Sequence, residues 1–125
     1  MSAGSLPERR ENPVAIYKSS REAEVVPGEG LVTYKMLDEG NGCVNGFCCG
    51  IAYFDTTEYP ASNPVHDDQE GFVCMQGSGW AKVGDEEFRV EPQCAWIVKA
   101  GTAHGLKRDP SCQGPLVVCW FHGAV

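Results

Sequence analysis

Basic residues are scarce in this chain: 10 Lys and Arg stand against 17 Asp and Glu, giving a formal net charge of -7 and an isoelectric point near 4.8. Nucleic acid and anionic membrane surfaces both demand a basic face, so neither is an expected partner, and a small-molecule ligand, neutral or cationic, is easier to accommodate. Long hydrophobic runs are missing too, since no stretch approaches the ~20 apolar residues of a membrane-spanning helix. Residues 1–12 are polar, without the apolar centre of an export signal, and read as a flexible N-terminal arm, or a strand donated to a neighbour, on a cytoplasmic protein. No segment repeats, and no linker divides the chain. Histidine is rarer still, with 3 in 125 residues.

Cysteine is not scarce. The chain has 7 (Cys43, Cys48, Cys49, Cys74, Cys94, Cys112 and Cys119), but an odd number without an export signal argues for reduced thiols and against a disulfide scaffold. Cys48 and Cys49 are adjacent in a strand-like run and point to opposite faces, which disfavours joint chelation. Cys74, mid-strand with no basic neighbour in sequence, reads as a small hydrophobe.

At this length the chain is one ordinary domain, able to bury roughly two-thirds of the surface its unfolded form would expose. From Val14 onward, short apolar runs alternate with turn residues. The runs are Val14–Tyr17, Leu31–Leu37, Phe47–Phe54, Gly71–Gln76, Trp80–Val83, Glu87–Val90, Ala95–Val98 and Leu116–His122. Pro27-Gly28, the Asp38 to Gly42 segment, Gly77-Ser78-Gly79, Gly84-Asp85 and Pro92 punctuate them, which is the pattern of an all-β sandwich or barrel over residues 13–125. Ser19 to Val26 admits at most one helical turn before Pro27. Gly77-Ser78-Gly79 precedes a strand and not a helix, so it is a hairpin turn and not a phosphate-binding loop.

Two of the histidines carry the strongest chemical signal. His66 stands four residues before Glu70, and His104 follows in a later segment beyond several strand-like runs. An imidazole and a carboxylate bent towards each other by a turn can meet a second imidazole on one divalent metal, leaving positions open for water or substrate. Two surface-loop histidines beside a solvated Glu70 would be the bland alternative. Glu70 begins an apolar strand, however, where an unpaired buried carboxylate costs several kcal/mol, and a metal or protonated imidazole removes that cost. Alternation along that strand places Glu70, Phe72, Cys74 and Gln76 on one face, with Gly71, Val73 and Met75 on the other. In the last strand Leu116, Val118, Trp120 and His122 share a face, but both faces are apolar and neither is marked as inward. Tyr53 and Phe72 are candidate walls of a substrate pocket. His122 reads as a half-exposed residue near the end of the sequence, with substrate contact as its functional alternative. Asp67 and Asp68 read as turn residues, the alternative being a carboxylate holding the free imidazole nitrogen of His66. Trp80, Trp96 and Trp120 read as core or interface residues.

These segments resemble the motifs of the cupins, small double-stranded β-helix (jelly-roll) barrels. The family's first motif is a glycine, five residues, His-x-His, three or four residues, Glu, six residues and Gly. Here His66, Glu70 and Gly77 match its second His, its Glu and its closing Gly. Its second motif is a glycine, five residues, Pro-x-Gly-x-x-His, three residues and Asn, matched here at Gly101 and His104. The resemblance extends over roughly residues 28 to 122. Pro64 replaces the first metal-binding His, Glu58 the opening glycine, and Gln93, Lys99 and Arg108 a Gly, the Pro and the Asn of the second motif. Pro64 cannot ligate through its side chain, so at most three of the usual four ligands remain, and water, substrate or Asn63 could take the open position. The resemblance implies one divalent metal (zinc, iron, manganese or nickel) on His66, Glu70 and His104. It also implies pairing as a homodimer and an isomerase, lyase or dioxygenase activity on a sugar, organic acid or phenolic. The alternative is a non-catalytic barrel that binds a small ligand beside a degenerate metal site.

Overall fold

The computed structural model describes residues 15–61 and 64–123. The expected arm over residues 1–12 and the possible ligand Asn63 lie outside them. Among the described residues nine strands form two antiparallel sheets. The larger takes β1 (Glu24–Gly28), β2 (Leu31–Leu37), β3 (Cys48–Phe54), β9 (Leu116–Gly123), β4 (Gln69–Gln76) and β7 (Ala95–Val98), in that order across the sheet. The smaller takes β6 (Glu86–Val90), β5 (Gly79–Val83) and β8 (His104–Arg108). Among the described residues the only helical elements are short 3-10 turns at Ser20–Glu22 and Glu39–Asn41. None of the 7 cysteines is in a disulfide. Among the described residues no helix is long and apolar enough to cross a membrane.

Strand alternation builds the core. Ala52 and Phe54 of β3, Phe72 and Cys74 of β4, and Leu116, Val118 and Trp120 of β9 turn inward and meet Ala81, Val90 and Leu106 of the smaller sheet. This resolves the last strand: its Leu116 to His122 parity faces the interior. Gly50 lies opposite Trp120 across β3 and β9, and a Cβ there would stand 2.5 Å from the indole Cζ2, so only glycine leaves room for the ring. Gly77, the motif's closing glycine, has φ +79° in the turn between β4 and β5, and a Cβ there would stand 2.6 Å from the Pro115 carbonyl oxygen.

Three expectations need correction. Residues Ala15 to Tyr17 of the first apolar run form no strand, and β1 lies further on, at Glu24–Gly28. It contains the expected breaker Pro27, which an edge strand tolerates because one side of its ladder is unpaired. β8 was not expected as a strand, since its sequence, His104-Gly105-Leu106-Lys107-Arg108, offers a single large apolar residue. Finally, a register shift between Cys74 and Gln76 breaks the alternation, so Gln76 is exposed and does not continue the inward face of Glu70, Phe72 and Cys74.

Candidate metal centre

Glu70 lies near the start of β4 with its side chain inward, between Val98 of β7 on one side and His122 of β9 directly opposite on the other. His104 opens β8 in the facing sheet, and His66 comes from the loop before β4. A backbone hydrogen bond from Gly101 N–H to the His66 carbonyl (2.8 Å) joins the two histidine-bearing loops, and the φ of +79° at Gly101 suits glycine. Glu70 and His104 are the only buried polar or charged side chains among the described residues, each 7% exposed.

The sequence-derived trio converges. His104 Nε2 lies 2.9 Å and His66 Nε2 3.5 Å from the same oxygen, Glu70 Oε1. Ligand atoms of the three residues all lie within 4.8 Å of one another. The 2.9 and 3.5 Å separations are about those of two donors sharing one ion at bonds of about 2.0–2.2 Å, with the angle between them from a right angle to tetrahedral. Two imidazoles and one carboxylate are a donor set for zinc, iron, manganese or nickel. His104 Nδ1 lies 3.1 Å from the Thr102 carbonyl oxygen. A proton on that nitrogen donates to the carbonyl and leaves Nε2 as the ligating atom, which is how metal-binding histidines are usually fixed. The residues therefore fit a divalent ion.

His122, which the sequence marked only as a possible substrate contact, belongs to this cluster. Its Nε2 donates to the other Glu70 oxygen, Oε2, at 3.1 Å, while its Nδ1 stands 3.1 Å from both oxygens of Asp68. Its ring also meets His66 edge to face, with centroids 4.9 Å apart. Asp68 is thus more than a turn residue, and the imidazole it holds is His122 and not His66. Sequence spacing could not find this contact, because it depends on β9 pairing with β4 in a register that sets His122 against Glu70.

The charges are tightly balanced. Burial alone pushes the Glu70 carboxyl up, but hydrogen bonds from His104 and His122 outweigh it and hold the group at about 2. The hydrogen bond to Glu70 raises His122 to about 9 against the opposing effect of burial, with Asp68 adding to the rise. For His104 burial pulls downward, yet Glu70 and the Thr102 carbonyl leave it raised.

Beside the cluster is a cavity of about 250 Å³. His66, Glu70, His104 and His122 occupy one part of its lining, and Leu31, Ala52, Phe54, Phe72, Leu106 and Trp120 form the rest of the barrel wall. Pro60, half-buried, and Pro64, exposed, line it as well. Phe72 lines the cavity and stacks at 5.2 Å on Trp96 behind it. Trp120 is a wall besides being core, a role the sequence did not mark. Tyr53 is not a wall of this cavity. It follows the inward Ala52 and precedes the inward Phe54, so alternation turns it outward, where it is 38% exposed, packs edge to face on Tyr34 and lines a separate depression with Val32 and Asp55.

No protein-family model and no curated protein matches the sequence. Solved structures do match. An RmlC-like cupin from Shewanella frigidimarina superposes with a TM-score of 0.67 at 13% identity, over 87% of this chain and 90% of that one. Fe(II) HppE superposes with a TM-score of 0.72 at 12% identity over 92% of this chain, which spans only 62% of HppE. KdgF from Halomonas sp. gives a TM-score of 0.64 at 16% identity, over 84% of this chain and 90% of that one. At these identities the likeness concerns the fold: a double-stranded β-helix, the cupin jelly roll.

Proposed function

We propose that this chain, a cupin barrel by fold, is a metal-dependent enzyme acting on a small organic molecule. His66, Glu70 and His104 hold one divalent ion, and the substrate occupies the adjoining cavity. The observation that carries the reading is the approach of two imidazole nitrogens from different sheets to one buried carboxylate oxygen, at 2.9 and 3.5 Å. When bound, the ion supplies Lewis-acid polarisation of a substrate oxygen or, if it is iron, dioxygen chemistry. The chain's own residues do the rest. Thr102 fixes the His104 tautomer, His122 N–H holds Glu70 Oε2 so that Oε1 is turned to the ion, and Asp68 holds His122. The apolar walls leave the far end of the cavity without polar partners for the substrate. Isomerase, lyase and dioxygenase chemistry all suit such a site. Protein purified without an affinity tag should carry close to one metal per chain by elemental analysis, and His104→Ala should lose it. A metal-free protein that also fails to take up zinc, iron, manganese or nickel in dialysis contradicts the reading.

One observation favours a second reading, a non-catalytic ligand-binding barrel. With His104 and His122 protonated, both oxygens of Glu70 are already satisfied without an ion, and Pro64 offers no fourth side-chain ligand. Metal content separates the two.

We also propose that the protein works as a cytoplasmic homodimer. The free thiols suit a reducing compartment. The outward face of the larger sheet carries Val25, Tyr53, Met75, Ile97 and Phe121, each at least 38% exposed, and no charged side chain interrupts them. A second copy presenting the same uncharged face covers it without opposing like charges, despite the net charge of -7 on each chain. Light scattering at micromolar concentration should give the dimer mass, and Met75→Lys with Ile97→Lys should give the monomer; a monomeric parent protein contradicts the proposal.

A further inference from the structure

The cavity's lining is divided by chemistry, and the division narrows the substrate. Among the described residues, all its charged or hydrogen-bonding side chains except the indole of Trp120 sit in the His66, Glu70, His104 and His122 cluster, and no lysine or arginine lines it. The indole nitrogen of Trp120 is buried without a partner and offers the cavity no accessible donor. Apart from Gly105 and the buried indole nitrogen, the described side chains beyond the cluster are hydrocarbon, and much of this surface is flat: Phe54, Phe72, the Trp120 ring and Pro60.

Resting on the metal reading above, we propose that the substrate is a single-ring aromatic molecule whose polar groups, one or two adjacent oxygens, lie only at the end facing His66, Glu70 and His104. Size supports this. A dry apolar cavity of about 150 Å³ accepts benzene, so about 250 Å³ accepts one ring with small substituents and falls below the ~300–1,000 Å³ of pockets for larger ligands. Polarity excludes the other classes the fold leaves open. A sugar would bury several hydroxyls against Leu31, Leu106 and Phe54, each without a partner and each weakening binding. A phosphorylated or dicarboxylic substrate would need a cation remote from the metal to hold its second charged group, and the described walls contain none. A catechol or hydroxybenzoate directs its donors to one end and its ring to the flat walls, with no polar group left unpaired.

The test uses 4-methylcatechol, toluene, D-galactose and glycerol 3-phosphate as probes on the full chain loaded with zinc, which does not oxidise the catechol. Binding is read by calorimetry and by tryptophan fluorescence. The expected order is 4-methylcatechol about a hundredfold or more tighter than galactose or glycerol phosphate, with toluene between. Removing zinc with a chelator should abolish the advantage of 4-methylcatechol over toluene and leave toluene binding unchanged. Leu106→Gln and Phe54→Asn, with folding verified by circular dichroism, should weaken toluene and 4-methylcatechol alike while zinc affinity is preserved. Galactose or glycerol phosphate binding as tightly as 4-methylcatechol overturns the inference, as does failure of both aromatic probes to bind protein that holds zinc, and in either case the metal reading survives. If the chain holds no zinc but toluene and 4-methylcatechol still bind equally, the aromatic cavity stands and the metal reading falls.

Discussion

His104 and His66 approach the same oxygen of Glu70, yet the fold holds them in opposite ways. His104 is rooted in the interior: its side chain is 7% exposed, one nitrogen lies against Glu70 and the other against the Thr102 carbonyl. His66 stands in a loop with its side chain 38% exposed and its nearest carboxylate contact at 3.5 Å. One histidine is therefore part of the folded core as well as of the site, whereas the other serves the site and contributes little to the core. The same contrast separates the buried Glu70 from Pro64, which is exposed in the cavity lining. The buried half of the cluster is held by several hydrogen bonds, and the half that faces solvent by few.

The contrast gives ordered expectations. His104→Ala should lower metal affinity by about a hundredfold or more and also destabilise the metal-free fold by about 2–3 kcal/mol, because it strips a partner from the buried Glu70. His66→Ala should lower metal affinity comparably but leave the metal-free stability within about 0.5 kcal/mol. Denaturant titrations of the two variants, each with and without zinc, read both quantities. Equal stability losses would erase the distinction. Asp68→Asn, acting on His122 and only through it on Glu70, should cost about tenfold in metal affinity with the ligand set unchanged.

The pH dependence of the metal-free protein sharpens the buried half of the comparison. His122 is raised from 6.5 to about 9, so its contribution to stability is fully present below about 6.5 and is lost as pH rises through about 9. Glu70 is lowered from 4.5 to about 2, so its contribution is present above about 4.5 and is lost as pH falls through about 2. Stability should accordingly be greatest between about 4.5 and 6.5. In Asp68→Asn the alkaline decline should begin at lower pH, and an unchanged profile would mean that Asp68 does not support the charge on His122. The smallest effect concerns Gln93, which replaces a motif glycine and is held at φ 72°. Gln93→Gly should relieve the left-handed strain and stabilise the fold by up to about 1 kcal/mol, read as a rise in melting temperature.

Much of this was written locally in the sequence. Period-two alternation from Glu70 to Cys74 gave the inward face of β4, and the paired spacings at His66, Glu70 and His104 identified the residues that meet. What was not legible depended on neighbours far along the chain. β1 reads as a broken segment until its edge position makes Pro27 acceptable. The inward face of β9 has no marker, because Val117, Cys119 and Phe121 are as apolar as the residues opposite them. Without that orientation, His122 and Trp120 could not be assigned to the cavity, nor could Asp68 be connected to His122. Tyr53 was misplaced for the same reason: alternation fixes that it opposes Ala52 and Phe54, but not which of the two sets faces the interior.

X-ray absorption on the zinc-loaded chain tests the central claim most directly. The account predicts a first sphere of two imidazole nitrogens and one carboxylate oxygen at about 2.0–2.2 Å completed by water, with one imidazole missing in His66→Ala and in His104→Ala but both retained in Asp68→Asn. A sphere of oxygens alone, or one that neither histidine substitution alters, would contradict it.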